Sequence, residues 1–480
     1  MMRKINVRPL IVFSATLVVC ATGPSQASEL LYYDPTGTPT EHKAPEADSV
    51  TITFHRDKHL LTIPPKFYGV NIHPGSAAYE IAQIDVLKAL KPDAIRIMTR
   101  MRVDWPADKS GRIVTPLSPA PGVYDWNALD LLIRSIVAVG AEPYLALGFG
   151  PPHWMTDSPD LSSRRPPLPE YLSEYAEMMA SIVERYVVEK KWPIRRVTIE
   201  NEPENVGYDI DTYIELSKAA RRAIKQRVPN VEIGGPAIGY AMWPQSNGRS
   251  ISFHSATNIL SKETKLFDFY DWHIYSTTTD PILKTVETVQ RAYGSELPLV
   301  ISELNRDWRY SGEYKKVSQK NNTEWSSVSW LAETLDRLQL SGVDQVFYFA
   351  WRESTLGLVD ARFNELRPNY HLLSVMINEL GRKRIEATFS NNSVGTIATI
   401  ENNKISALIY NKTTTEVSVN TNAKEEIEIR LYDKKWHAEN KNITDPFIPS
   451  TPKPFTPSIS NNKKESIKIP PSSYILIKEK

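Results

Sequence analysis

The stretch from Arg195 to Asn205, RRVTIENEPEN, decides how the chain is read. Val197, Thr198 and Ile199 form a short β-branched run that predicts a buried strand. The run stops at Glu200-Asn201-Glu202-Pro203, because Pro203 cannot donate a ladder hydrogen bond. An amide, Asn201, and a carboxyl, Glu202, are thereby left at the carboxyl end of a strand, the face of an α/β barrel that carries chemistry. Alone, such a run fits a plain strand-ending turn equally well. A second stretch, Pro298-Leu-Val-Ile-Ser-Glu303-Leu-Asn305, repeats the arrangement, and the chain reads as a scaffold that brings Glu202 and Glu303 together. Strand alternation puts Glu200 on the same side as Glu202, deeper in the barrel.

Outward from these two stretches runs a β/α rhythm. Strands are expected at 67–72, 94–98, 143–147, 196–200, 231–234, 267–275, 297–302 and 345–350. Helical patterns fall between and after them, at 76–90, 126–139, 169–189, 211–228, 251–261, 281–293, 324–340 and 370–380, with Gly140 and Gly342 as helix stops. Eight such units over about 310 residues predict a (β/α)8 TIM barrel. The rival, a doubly wound open sheet, is weakened because no glycine-rich phosphate loop follows the first strand. Before the barrel, 50–54 and 60–63 read as a hairpin around a charged turn. After Arg384 short alternating segments at 385–389, 394–401, 404–410, 415–420, 426–432 and 473–478 predict a β-sandwich, which the N-terminal hairpin would complete, and 446–460 reads as a long loop. The expected division is a leader at 1–27, a linker at 28–48, the hairpin at 49–66, the barrel at 67–381 and the sandwich at 382–480.

A net charge of +1 on 480 residues points to neither nucleic acid nor an anionic membrane surface. Arg3, Lys4 and Arg8 precede an apolar run from Pro9 to Cys20, and Ser25-Gln26-Ala27 resembles a signal-peptidase site. The run is too short for a comfortable membrane span. Export with cleavage near Ala27 is expected, giving a secreted or periplasmic protein with no span in the mature chain. Cys20 is the single cysteine, and its removal would leave no disulfide and no cysteine metal site. His153, His254 and His273 show no paired-ligand spacing, so neither a metal nor a cofactor is expected.

Two carboxyls facing each other are what glycoside hydrolysis needs: one protonates the leaving oxygen and, in a retaining enzyme, the other attacks the anomeric carbon. Arg96 or Tyr275 beside the nucleophile would favour its charged form. Ile-Glu-Asn201-Glu202-Pro203 and Val-Ile-Ser-Glu303-Leu-Asn resemble the acid/base and nucleophile motifs of the clan A glycoside hydrolases, retaining enzymes on a (β/α)8 barrel. Trp272-His273-Ile-Tyr275 resembles the clan's sixth-strand histidine and tyrosine, Arg96 its second-strand arginine, and Trp351 its eighth-strand tryptophan. The late sandwich makes family 39 the nearest resemblance, although families 5, 30 and 51 share these motif types. Family 39 includes β-xylosidases, α-L-iduronidases and bacterial endoglycosidases of exopolysaccharides.

The resemblance implies Glu202 as general acid/base and Glu303 as nucleophile. Asn201 would bond the sugar 2-hydroxyl, Tyr275 and His273 would orient the carboxyls, Arg96 would hold the charge of Glu303, and Trp351 would floor the adjoining subsite. Many members carry Asn or Asp where Glu204 follows the proline here, which leaves that position without a role. Trp154, Trp243 and Trp308, after strands three, five and seven, are candidate sugar platforms; taken singly each reads more readily as core, as His273, Arg96 and Trp351 read as structural, and the joint pattern reverses that reading for Arg96, His273 and Trp351. The function expected is a secreted retaining glycosidase acting on an oligo- or polysaccharide, an endoglycosidase of an exopolysaccharide being the favoured form. An exo-acting β-xylosidase-like enzyme is the first alternative and a non-catalytic carbohydrate-binding barrel the second. Transglycosylation would use the same two carboxyls.

Overall fold

The computed structural model describes residues 49–72, 83–99, 117–158, 165–239, 242–245, 247–263, 265–294, 296–309, 312–423, 426–454, 459–460, 463–464 and 466–480. The expected leader and linker lie outside the described residues, as does most of the first half of the helix expected from 76. No helix among the described residues is long and apolar enough to cross a membrane.

Eight parallel strands close into a barrel in chain order: Tyr68–Asn71, Ala94–Met98, Glu142–Leu147, Arg196–Ile199, Glu232–Ile238, Phe269–Tyr275, Leu299–Asn305 and Gln345–Tyr348, called strands one to eight below. The strands read as almost continuous apolar runs because both faces are covered, by helices outside and by side chains inside. Tyr144, Phe269, Val300 and Phe347 plug the lumen together with Ala94. The plug requires Gly69 and Gly234, where a Cβ would fall 2.3 Å from the ring of Phe347 and 2.0 Å from that of Phe269. The amino-terminal end of the lumen is closed by buried Arg196, paired with Glu232 at 2.8 Å and with Asp344.

The surrounding helices fall close to their expected positions, with ends set by local chemistry. Asp209 caps Ile210–Arg227 by accepting from the N–H of Thr212 at 2.9 Å, a contact of about 1 kcal/mol. Gly140 ends Asn127–Val139 with φ of 90°, in the left-handed region that a glycine adopts freely. The long helix expected at 169–189 is Leu172–Glu184 between a 3₁₀ turn and a π turn, Arg185–Glu189. A hairpin, Met242–Pro244 with Ser250–Ser252, and a helix after strand seven, Lys315–Thr323, add elements whose sequences carry little apolar periodicity.

The second module is an eight-stranded, mostly antiparallel sheet whose inner faces share one core, including Val50, Ile52, Ile385, Ile409, Ile429 and Ile477. The N-terminal hairpin does not form. Ser49–Thr62 is one strand, antiparallel to Lys383–Phe389 and parallel to Val417–Thr421. The charged run read as its turn is instead a break in register between His55 and Leu61, where bulged residues face solvent and need no partner strand. A helix, Lys434–Asn440, and a strand, Ile467–Ile469, complete the module beyond the expected segments. Its outer face lies on the barrel helix Ser327–Leu340: Tyr410 donates to Asp336 at 3.0 Å and Ser329 to the carbonyl of Asn411 at 2.7 Å.

An aromatic seam joins the modules. Trp325 stacks on Tyr474, and His371 contacts Trp436 and His437 edge to face, at 4.8 and 5.5 Å. Burial, with a smaller contribution from His437, pushes His371 down to about 3. The unfolded chain takes up a proton below about pH 6.5 and the folded chain refuses it, so the neutral ring's stabilisation is complete above that pH and is lost as pH falls towards 3. His371→Phe, which keeps a ring in the seam, is therefore expected to lose less Tm between pH 7 and pH 4.5 than the wild type. Equal losses in the two proteins would show that His371 carries no part of the acid sensitivity.

Candidate active site

Three departures from regular strand geometry build the site: two redirect side chains that alternation would misplace, and the third exposes a backbone carbonyl. In strand seven Val300 faces the lumen, so Glu303 would face outward in a regular strand. The register between strands six and seven shifts between Ile301 and Glu303, and the bulge at Ser302 swings Glu303 inward beside His273. The displaced carbonyl of Ser302 is satisfied by the amide of Asn71, at 2.7 Å. Just past the end of strand four, Glu200 and Glu202 both have positive φ, 64° and 49°. These residues break alternation, so the expectation that Glu200 shares the side of Glu202 does not hold. Glu200 turns towards the helical layer, fully buried, and accepts from Tyr175 at 2.6 Å, Tyr208 at 3.0 Å and the N–H groups of Phe149 and Gly150. Burial outweighs these donors and raises its pKa. Its hydrogen bonds tie it to the barrel wall and helices, which makes it a structural carboxyl. A third shift, in strand five between Pro236 and Ile238, exposes the carbonyl of Ala237 to the N–H of Glu202, at 3.1 Å.

Arg96, fully buried on strand two, is the hub. It donates to Glu303 at 2.9 Å, Asn71 at 3.0 Å and Asn201 at 2.5 Å, and lies 3.2 Å from Nε2 of His273. A guanidinium can only donate, so Nε2 of His273 must accept. The ring proton is then on Nδ1, where it is donated to Glu202 Oε1 at 3.0 Å. The other oxygen of Glu202 accepts from Asn205 at 3.0 Å. Tyr275 donates to Glu303 Oε2 at 2.6 Å. Burial, followed by the neighbouring carboxylates of Glu303 and Glu202, holds its phenol well above the ordinary value, so it stays a donor.

The two carboxyls thus have different surroundings. Glu303, with a side chain 5% exposed, faces a fixed cation and a phenol. Glu202, 22% exposed, accepts from His273 and Asn205 and opens to solvent. Oxygens of both, with a ring nitrogen of His273, lie within 4.8 Å of one another. The same three side chains are near enough to share a cation, but Arg96 already supplies the positive charge, and the His273 nitrogen facing the pair carries a proton. The donor set suits a sugar at its cleavage point better than a metal.

The structure brings together Arg96, Asn201, Glu202, His273, Tyr275 and Glu303. It does not bring the tryptophans to the same cleft as open faces. Trp243 is fully buried, donates to the carbonyl of Tyr208 at 2.9 Å and packs on Tyr213, so the platform expectation is corrected: it is core. Trp351 is 2% exposed and packs on Tyr370; its N–H bonds the carbonyl of Asn71, making it a wall behind the site. Trp154, partly buried, donates to the carbonyl of Ser118 at 3.2 Å and meets Tyr171 edge to face. Trp308 is partly exposed after strand seven. Asn71, Asn205 and Gly239 were missed. Asn71, a polar residue ending strand one, was open to the argument that found Glu202; Gly239 carries no sequence signal.

A parallel barrel with a close pair of carboxyls at the carboxyl ends of strands four and seven is the construction of a glycoside hydrolase. The profile of glycosyl hydrolases family 39 matches residues 118–439, and the chain belongs to that family. Among solved structures it is similar to a family 39 β-xylosidase from Caulobacter crescentus, with a TM-score of 0.64 and 17% identity over 90% of this chain and 99% of that one. A family 39 enzyme from Xanthomonas axonopodis pv. citri follows at 0.62 and 15%, over 90% and 97%. A family 30 endoxylanase from Clostridium papyrosolvens gives 0.59 and 14%, over 90% and 99%. At these identities the likeness is one of fold.

Proposed function

We propose that the chain hydrolyses O-glycosidic bonds by double displacement, with Glu303 as nucleophile and Glu202 as acid/base. The observation that carries this reading is the asymmetry of the pair, with Arg96 and Tyr275 on a buried Glu303 and His273 and Asn205 on a more exposed Glu202. In the first step a carboxylate oxygen of Glu303 bonds to the anomeric carbon. The bond to the leaving oxygen breaks, and that oxygen takes the proton of Glu202. In the second step a water adds to the anomeric carbon, gives its proton to Glu202 and frees Glu303. A separation within 4.8 Å leaves little room for a water between carboxyl and sugar, and so favours this route over single-step inversion, which uses about 6.5–9.5 Å. Asn201, whose carbonyl oxygen is taken by Arg96, keeps its amide nitrogen for the sugar 2-hydroxyl.

The substrate proposed is a polysaccharide outside the cytoplasm, cleaved internally; the leader-like N-terminus supports the location. An exo-acting β-xylosidase is the second reading, favoured by the name of the Caulobacter crescentus neighbour. Reducing-end release from a panel of plant, host and biofilm polysaccharides and xylo-oligosaccharides tests both. Long early products indicate internal cleavage, and monomers indicate exo action. Proton NMR of the first product is expected to show the anomeric configuration of the substrate; the opposite anomer would overturn double displacement.

A further inference from the structure

We propose that Glu204 is a positioning residue for Glu202, acting through Gly239; this rests on Glu202 being the acid/base. Glu204 lies in the short helical turn Pro203–Val206 and is 7% exposed. Its Oε1 accepts the N–H of Gly239 at 2.6 Å, just beyond the end of strand five. One residue pair away, the N–H of Glu202 donates to the carbonyl of Ala237 at 3.1 Å. The two bonds clamp the end of strand five against the turn that carries the acid/base.

Gly239 is where this clamp meets the chemistry. A Cβ there would fall 2.2 Å from Oε1, 2.7 Å from Cδ and 2.9 Å from Cγ of Glu202. The Glu202 carboxyl therefore lies directly on the bare Cα of Gly239, and Nδ1 of His273 holds the same oxygen at 3.0 Å. Backbone and imidazole thus meet at one oxygen of Glu202, while Asn205 holds the other at 3.0 Å. Glu204 fixes the backbone side of that meeting. A side chain that reaches from the turn to strand five and accepts a hydrogen bond is required; alanine at 204 would leave the Gly239 amide without its acceptor. This gives a role to the position at which the sequence departs from the more common Asn or Asp.

The test pairs crystallography with leaving-group dependence. In Glu204→Ala the Gly239 segment is expected to move away from the turn, and the Glu202 carboxyl to leave His273 Nδ1. Glu204→Gln keeps an acceptor oxygen and is expected to restore both. Gly239→Ala keeps the Glu204 bond but fills the space against that oxygen, and is expected to displace Glu202 alone. Kinetics use aryl glycosides of the sugar that the wild type releases. With a poor phenolic leaving group, kcat/KM is expected to fall about 10- to 100-fold in Glu204→Ala and Gly239→Ala. With a dinitrophenyl group, which departs without a proton, it should change little; Glu204→Gln should resemble wild type on both. An unmoved Glu202 carboxyl in Glu204→Ala, or an equal fall on both leaving groups, overturns the proposal. The crystallographic arm decides the clamp for any substrate. Full activity in Glu202→Gln would instead reject the acid/base assignment itself.

Discussion

Glu303→Gln is expected to lower kcat by roughly four to six orders of magnitude while leaving the fold intact. Glutamine matches the size of glutamate, but with one oxygen in place of two it accepts at the Arg96 position or at the Tyr275 position and not at both, supplies no charge and forms no ester with the anomeric carbon. The two bonds that now hold the carboxylate, 2.9 Å from Arg96 and 2.6 Å from Tyr275, cannot both be kept by the amide. The loss should be equal for good and poor leaving groups, because both need the covalent intermediate. Azide added to Glu303→Ala should restore turnover by entering the vacated space and give a glycosyl azide of inverted configuration. The checks are kcat on the cleaved polysaccharide, Tm, and the stereochemistry of the azide product. A variant that keeps more than about one per cent of wild-type kcat would remove Glu303 from the nucleophile's role.

Glu202→Gln should separate from this by its selectivity. General acid assistance contributes about 10²- to 10⁴-fold, and loss of that order is expected on sugar leaving groups. Activated aryl glycosides should still form the intermediate, which then accumulates because no base activates water. The wild-type rate against pH should be a bell. Double displacement needs an ionised nucleophile and a protonated acid in the same enzyme, so the rate should fall on both sides of an optimum. In Glu202→Gln the high-pH limb is expected to vanish while the low-pH limb remains, since only the group that titrates at high pH has been replaced. Persistence of both limbs would assign the high-pH group elsewhere.

These outcomes depend on residues whose legibility in the sequence differed for physical reasons. Glu202, Asn201, Arg96, His273 and Tyr275 stand out because a polar side chain inside or ending a short apolar strand costs free energy unless something pairs with it. Their mutual contacts, from the 2.5 Å bond between Arg96 and Asn201 to the His273–Glu202 contact, span up to 177 residues of chain and follow once the barrel closes. The tryptophans were harder. An indole suits a sugar face and a core equally, and only the contacts of Trp243 with Tyr208 and Tyr213 decide for the core. The charged run 56–58 read as a turn because bulged and turning residues share a preference for solvent; pairing with Lys383–Phe389 keeps the strand continuous on both sides of it.

Sequence by itself determined the eight-fold alternation of strands and helices, the smaller β module, and the two strand-ending glutamates, because periodicity and proline or glycine stops are local properties of the chain. Tertiary structure alone decided which way those ends point. The bulge at Ser302 turns Glu303 inward and is held by Asn71 from another strand, and the positive φ of Glu200 and Glu202 sends one carboxyl to the helices and the other to the mouth. Such turns are set by hydrogen bonds between strands far apart in the chain, which no local pattern of residues encodes.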